Sequence, residues 1–225
     1  GINKPATPTV PVAWNDAEPP SPDYQIVRCA YYVTSVTLRG EESEPSDTTQ
    51  IINRWDDAVI PVSLGANNDS RATHRRLYRS EGGGVFNLVG EYVISTTSVT
   101  DSVYSASLGA PCNSESFNHP PGDLSGLTMV GNGFLAGFFG NTLCFCEPYY
   151  PHAWPIDYQY AFHDDIVGIS VIGGAVVVTT KGNPWIVMGG HPSAMSPTKL
   201  DLRASNLSRA GLVDMGNFAL YPSSE

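Results

Sequence analysis

The sequence predicts an all-β protein, because short apolar runs alternate with tight-turn residues along much of the chain. Two apolar runs flank the turn dipeptide Gly140-Asn141, and residues 167–178 repeat the pattern around Gly173-Gly174. The 22 Gly and 18 Pro residues are spread along the chain and disfavour long helices. Repeated short hairpins of this kind are typical of sandwich and propeller-like architectures, and they favour a scaffold over an enzyme.

Length and composition permit a folded core. A chain of 225 residues is long enough for two small domains or one large all-β domain. Hydrophobic residues make up 41% of the chain, which argues against global disorder. No apolar run approaches the length that a bilayer requires, so we expect no membrane span.

The formal net charge of −10 limits the partners that we expect. An acidic surface does not attract nucleic acid, since binding comes largely from Lys and Arg that neutralise phosphates. Such a surface suits a channel through which DNA passes without adsorbing. The simpler interpretation, that the charge keeps a scaffold soluble, is favoured over a role in lining a channel.

The four cysteines do not form a recognisable disulfide or zinc pattern. Cys29, Cys112, Cys144 and Cys146 are widely spread, apart from one pair two positions apart. Two residues at that spacing in a strand point to the same face, and a direct bond between them would be strained. We expect reduced, partly buried thiols, as in a protein assembled in the cytosol.

The first half of the chain is predicted to hold one β module. Residues 1–23 are Pro-rich and lack periodicity, so we expect an extended linker or arm. The module covers residues 24–105, with a strand at 30–38 and a polar turn at 40–46. Further strands are expected at 59–64 and 98–102, with a hairpin over 77–90.

Two motifs of this module resemble fibronectin type III domains. The first is Tyr32-Val33-Thr34-Ser35-Val36 with the turn Gly40-Glu41-Glu42-Ser43-Glu44-Pro45-Ser46, similar to the late-strand signature of the family. The second is Arg76-Leu77-Tyr78-Arg79-Ser80 with Val99-Thr100-Asp101. The resemblance implies a fibronectin-like β-sandwich, although the late signature comes first in this chain.

The second half is predicted to be a separate hairpin domain. Residues 106–126 are rich in Gly, Pro and Ser and are expected to connect the domains. Hairpins are predicted at 127–146 and 166–188, with a third strand unit near 211–220. We expect the domain at 127–225 to be incomplete and the chain to be a fragment of a longer polypeptide.

This half resembles structural tail proteins of short-tailed bacteriophages. The resemblance rests on the run from Gly131 to Trp154, the hairpin at 168–181 with Pro184-Trp185 after it, and Tyr221-Pro222-Ser223. In that family, similar segments build an incomplete or fused β-propeller in the tail nozzle or tail tubular ring. The resemblance implies part of a β-propeller-like domain after the sandwich.

No motif of an enzyme or a cofactor site is recognised. Gly82-Gly83-Gly84 lacks the Lys-Ser/Thr of a phosphate loop, and no Gly-x-Ser-x-Gly occurs. The run His163-Asp164-Asp165, with His152 and Asp157 upstream, is the nearest to a metal or acid–base cluster, but a solvated turn explains it better. We expect no catalytic, cofactor or metal site.

The residues predicted to form an interface lie mostly in one stiff aromatic segment. They are Tyr149, Tyr150, His152 and Trp154, followed later by Trp185. Aromatic residues are enriched in interfaces, where they supply contact area at low entropy cost. Packing within the chain is an equal alternative for the segment, and the neighbouring prolines favour such packing for both tryptophans.

These expectations lead to a structural role. The resemblance implies a virion protein of a phage tail that forms a homo-oligomeric ring, contacts other tail proteins and surrounds DNA during ejection. It would be assembled in the host cytoplasm and located in the virion tail. The alternative is a surface protein that binds or cleaves carbohydrate, and a weaker one is a fragment of a bacterial adhesin.

Overall fold

The structure is a computed structural model that describes residues 1–223, and it confirms the all-β prediction. The chain divides into two compact units, Gly1–Glu115 and Ser116–Glu225, and this boundary lies inside the segment expected as a connector. In the described part, helix is confined to five three-residue 3-10 turns: Val12–Trp14, Ser105–Ser107, Ile156–Tyr158, Pro192–Ala194 and Arg209–Gly211. Accordingly, none of the helices in residues 1–223 has the length needed to cross a membrane.

The first unit contains six strands in two antiparallel sheets. The strands are β1 (Val27–Thr37), β2 (Ile52–Arg54), β3 (Ile60–Ser63), β4 (Ala72–Glu81), β5 (Phe86–Val93) and β6 (Ser98–Asp101). One sheet has the order β2-β1-β4-β5, and the other pairs β3 with β6. Apolar side chains from both sheets share one core, and those without exposed surface include Tyr31, Val33, Ile52, Ile60, Val62 and Leu77.

Residues 1–23, expected as a linker or arm, are packed against this unit. Ile2 and Val10 are buried, and Thr9 exchanges two backbone hydrogen bonds with Ser63 at the end of β3. Trp14 lies against Trp55 with 5.4 Å between ring centroids. The Pro-rich chain includes a 3-10 turn at Val12–Trp14, and its few apolar residues bring it onto the unit.

The segment at residues 42–50 covers the free edge of β1. Three buried hydroxyl residues at a spacing of three donate their backbone N–H to carbonyl groups of β1: Ser43 to Ser35, Ser46 to Val33 and Thr49 to Tyr31. Each side-chain oxygen also accepts the N–H of the same β1 residue, at 2.9–3.1 Å. This segment therefore satisfies the backbone of β1 without forming a regular strand.

The second unit contains two consecutive four-stranded antiparallel sheets and a final hairpin. The first sheet is formed by β7 (Ser125–Val130), β8 (Phe134–Phe139), β9 (Thr142–Phe145) and β10 (Gln159–Ala161). The second is formed by β11 (Ile166–Ile172), β12 (Ala175–Thr180), β13 (Trp185–Met188) and β14 (Ser196–Lys199). The strands β15 (Val213–Asp214) and β16 (Ala219–Leu220) form the hairpin.

Each four-stranded sheet is a meander, in which strands that follow one another in sequence also pair in space. The hairpins expected around Gly140-Asn141 and Gly173-Gly174 are present as β8–β9 and β11–β12. A shared core joins the two sheets, and its fully buried members include Leu143, Cys144, Phe145, Val176, Val178 and Val187.

Candidate interaction surface

The loop between β9 and β10 presents the aromatic side chains that the sequence singled out. Backbone hydrogen bonds fold it into a compact turn, since Glu147 donates to Ala153 O at 2.9 Å and Tyr150 donates to Glu147 O at 3.0 Å. Ala153 in turn donates to Tyr150 O at 2.9 Å. The loop is thereby held in one conformation by its own backbone.

Tyr149 projects from this loop with 79% of its surface exposed. Its φ of +66° is unusual for a bulky side chain, and its N–H donates to Gly133 O at 2.9 Å. The ring lies so close to Gly133 that a Cβ there would be 2.6 Å from Cε1 of Tyr149. Gly133, itself at φ +79°, is therefore needed for this position of the ring.

Two further rings of the loop, Tyr150 and His152, form a cluster with Phe117, which precedes β7 in the chain. The centroid of Phe117 lies 5.0 Å from that of Tyr150 and 5.8 Å from that of His152, and the last two are 6.0 Å apart. Phe117 is buried, whereas Tyr150 is 44% exposed. We call Tyr149, Tyr150 and His152 the aromatic loop surface. The buried ring of Phe117 packs against Tyr150 and His152.

The two tryptophans of the predicted interface lie elsewhere. Trp154 is only 2% exposed, and its indole N–H donates to Pro151 O at 3.0 Å, so it belongs to the core. Trp185 lies on β13, half-buried, with its ring 5.1 Å from that of Phe162 in an edge contact. The structure thus brings together the rings of Tyr150 and His152, places Tyr149 on the same loop with its ring against Gly133, and puts Trp154 in the core and Trp185 on β13.

The loop carries acidic side chains and no Lys or Arg. Residues 146–158 include Glu147 and Asp157 but no Lys or Arg. Burial and a hydrogen bond with Glu147 raise the pKa of Tyr158 to about 12, so this phenol stays protonated at neutral pH. A partner that binds this surface needs an apolar contact area of its own. Basic groups at the edge of that area favour binding, because the loop is acidic.

The polar residues considered for a metal site are not brought together. His163, Asp164 and Asp165 lie in the connection between β10 and β11, where Asp165 pairs with Lys181 at 2.6 Å on the surface. In residues 1–223, no group of three or more His, Cys, Asp or Glu side chains is placed to hold a metal.

The cysteines are free and buried in the structure. Burial raises the pKa of the Cys29 thiol to about 11 and that of Cys144 to about 12. A thiol with so high a pKa is protonated at neutral pH and is a poor nucleophile or metal ligand. The thiols act here as small apolar core groups.

Comparison with known proteins adds no family. No protein-family model matches the chain, and no curated protein sequence matches it.

Proposed function

We propose that this chain is a structural virion protein of a bacteriophage tail, which acts by assembly. It forms a ring with copies of itself, contacts other tail proteins and surrounds the path of DNA during ejection. It is assembled in the host cytoplasm and is located in the virion tail. The observation that carries the proposal is the aromatic loop surface, above all the exposed ring of Tyr149.

The conformation of Tyr149 supports a role in contact with another molecule. A bulky residue in the left-handed region costs about 1–3 kcal/mol, and such strain clusters at functional sites. Here the strained residue is held by the Gly133 carbonyl and points its ring to solvent. The ring is thus preorganised to bury its surface against a partner, as aromatic residues do at the centres of interfaces.

The architecture of the second unit agrees with the same proposal. Consecutive four-stranded antiparallel meanders are the repeating units of β-propellers, and the tail-protein resemblance implies a propeller-like domain. The two-sheet packing of the first unit is compatible with a fibronectin-like module on the outside of such an assembly.

The charge of the chain supports its position around DNA. With a net charge of −10, the protein repels a polyanion on average, and little affinity for phosphates is expected. A wall that lacks such affinity allows DNA to move without adsorbing.

The test is to measure binding of the full chain to purified candidate tail partners, with and without Tyr149→Ala. Truncating an interface aromatic costs about 2 kcal/mol or more, so binding should weaken about 30-fold or more. Tyr104→Ala is the matched control, because Tyr104 is an exposed tyrosine of the first unit, at 52%. Equal binding by the wild-type protein and both variants would contradict the role of this surface.

A further inference from the structure

The first unit contains a cleft in which aromatic and carboxylate side chains are mixed. Its volume is about 540 Å³, within the range of roughly 300–1,000 Å³ that small-molecule sites occupy. Tyr24, Trp55 and Tyr104 contribute aromatic surface, and Asp56 and Asp57 contribute carboxylates. We call this the Tyr–Asp cleft.

Two tyrosines fix the Asp57 carboxylate in the cleft. The hydroxyl of Tyr24 donates to Oδ2 at 2.6 Å, and that of Tyr104 donates to Oδ1 at 2.9 Å. These hydrogen bonds lower the pKa of Asp57, so the group is an anionic acceptor at neutral pH. Since each carboxylate oxygen has a second lone pair, Asp57 keeps capacity to accept hydrogen bonds from a ligand.

A buried arginine lines the same cleft, and the carboxylates of Asp56, Glu81 and Asp101 lie 3.8–3.9 Å from its guanidinium. Arg54 lines it with a side chain only 1% exposed, and its Nη2 donates to Val103 O. Its Nη1 lies 3.8 Å from Asp56, outside hydrogen-bond distance. Its buried Nε has no hydrogen-bond partner in the described part of the chain, and Asp101 lies 3.9 Å away.

The lining selects a ligand by its chemistry. The carboxylates of Asp23, Asp56 and Asp57 disfavour anions. A neutral ligand that donates hydrogen bonds to carboxylates and also covers aromatic rings has many hydroxyl groups and an apolar C–H face. From these contacts we propose that the Tyr–Asp cleft binds a neutral carbohydrate, whose hydroxyls donate to Asp56 and Asp57 while its ring packs on Tyr24 and Tyr104.

The experiment titrates the full chain with three neutral trisaccharides: maltotriose, cellotriose and chitotriose. Saturation-transfer NMR and tryptophan fluorescence report binding, because Trp55 lines the cleft. We expect at least one trisaccharide to bind with a Kd of about 1 mM or tighter. Tyr104→Ala and Asp57→Asn should each weaken it about tenfold or more.

Controls make the result specific to the cleft. Tyr149→Ala removes an exposed tyrosine of the other unit and should leave sugar binding unchanged. Thermal unfolding checks that the Tyr104→Ala protein is folded. Asp57→Asn is a second cleft variant, and it keeps nearly the same side-chain volume as the wild type. The proposal is overturned if no trisaccharide binds, if trilysine or phosphate binds in the cleft instead, or if neither cleft variant weakens sugar binding.

Discussion

At the scale of single residues, Arg79 and Asp101 form an ion pair inside the first unit, with both side chains fully buried. Nη1 of Arg79 lies 2.5 Å from Oδ2 of Asp101, which also accepts the hydroxyl of Tyr31 at 2.7 Å. The other oxygen of Asp101 accepts the backbone N–H of Val103 at 2.9 Å. Removing Asp101 takes the fully buried counter-charge from Arg79, which keeps the less buried Glu81 at 2.9 Å, and also takes the acceptor from the Tyr31 hydroxyl.

We therefore predict that Asp101→Ala lowers the free energy of unfolding by about 3–5 kcal/mol. The control is Asp165→Ala, which breaks a pair of similar length, 2.6 Å, between side chains that are 67% and 55% exposed. That change should cost at most about 1 kcal/mol, because solvent screens exposed pairs. Chemical denaturation of the full chain measures both, and equal losses would contradict the importance of burial.

The surroundings of Asp69 indicate that the stability of the fold depends on pH in the acidic range. Hydrogen bonds from Arg71, the closest at 2.6 Å, hold the pKa of this carboxyl well below its usual range. A depressed pKa stabilises the folded chain above the unfolded value of about 3.9, and this contribution is lost as pH falls below it.

Asp69→Asn should accordingly lower stability at pH 7 and reduce the further loss between about pH 5 and pH 2. Unfolding measured across that range checks the prediction, with Asp47→Asn as the control for an 80% exposed carboxylate paired with Lys4. An Asp69→Asn chain that loses stability in acid as steeply as the wild type would count against this assignment.

The sequence alone identified the aromatic segment, but it did not predict which of its residues are exposed and which are buried. The aromatic segment was recognisable, yet Tyr149 is exposed and Trp154 is buried, because the turn closed by Glu147 and Ala153 reverses the chain between them. The Tyr–Asp cleft had no local signal. Its hydrogen-bonded residues are separated by 33 and 47 positions and meet only through the fold.

At the scale of elements, the segment at 42–50 shows how β1 is paired without a regular strand. Ser43, Ser46 and Thr49 recur every third residue, as in extended polyproline-like chain, and not every second residue as in a strand. The sequence predicted only a polar turn at 40–46, because a search for strand alternation cannot detect a period of three. The backbone of β1 nonetheless depends on these side chains.

We predict that Thr49→Val lowers the free energy of unfolding by about 1–3 kcal/mol. The change keeps the side-chain volume but removes the acceptor of the buried N–H of Tyr31, which lies 3.0 Å from Oγ1. Thr48→Val, at the exposed neighbouring position, should be close to neutral. Thermal or urea unfolding that gives the same stability for both variants would show that the side-chain hydrogen bond is dispensable.

The meanders of the second unit were predictable where turn signals are strong and missed where they are weak. Gly140-Asn141 and Gly173-Gly174 mark tight turns, and the hairpins are found there. The fourth strand of the second sheet, β14, contains Pro197 and was not predicted. Proline is tolerated there because β14 is an edge strand of its sheet.

At the scale of the whole molecule, the all-β fold is the scaffold for the proposed function in assembly. The fold class followed from composition and turn patterns, whereas the proposed tail function depends on motif resemblance and on one exposed, strained tyrosine. Hydrophobic patterns in a sequence predict the core of a single chain well. They predict surfaces buried between chains less well, because such interfaces are about as apolar as the rest of the protein surface. The mass of the protein in solution is therefore the decisive observable.

The mass of the full chain by light scattering, alone and with purified candidate tail partners, tests directly whether the protein assembles into a ring. A monomer has a mass of 24.1 kDa. We predict a ring-sized multiple of this mass, formed alone or on addition of a partner and lost in Tyr149→Ala. A wild-type protein that stays at 24.1 kDa under every condition would contradict the account.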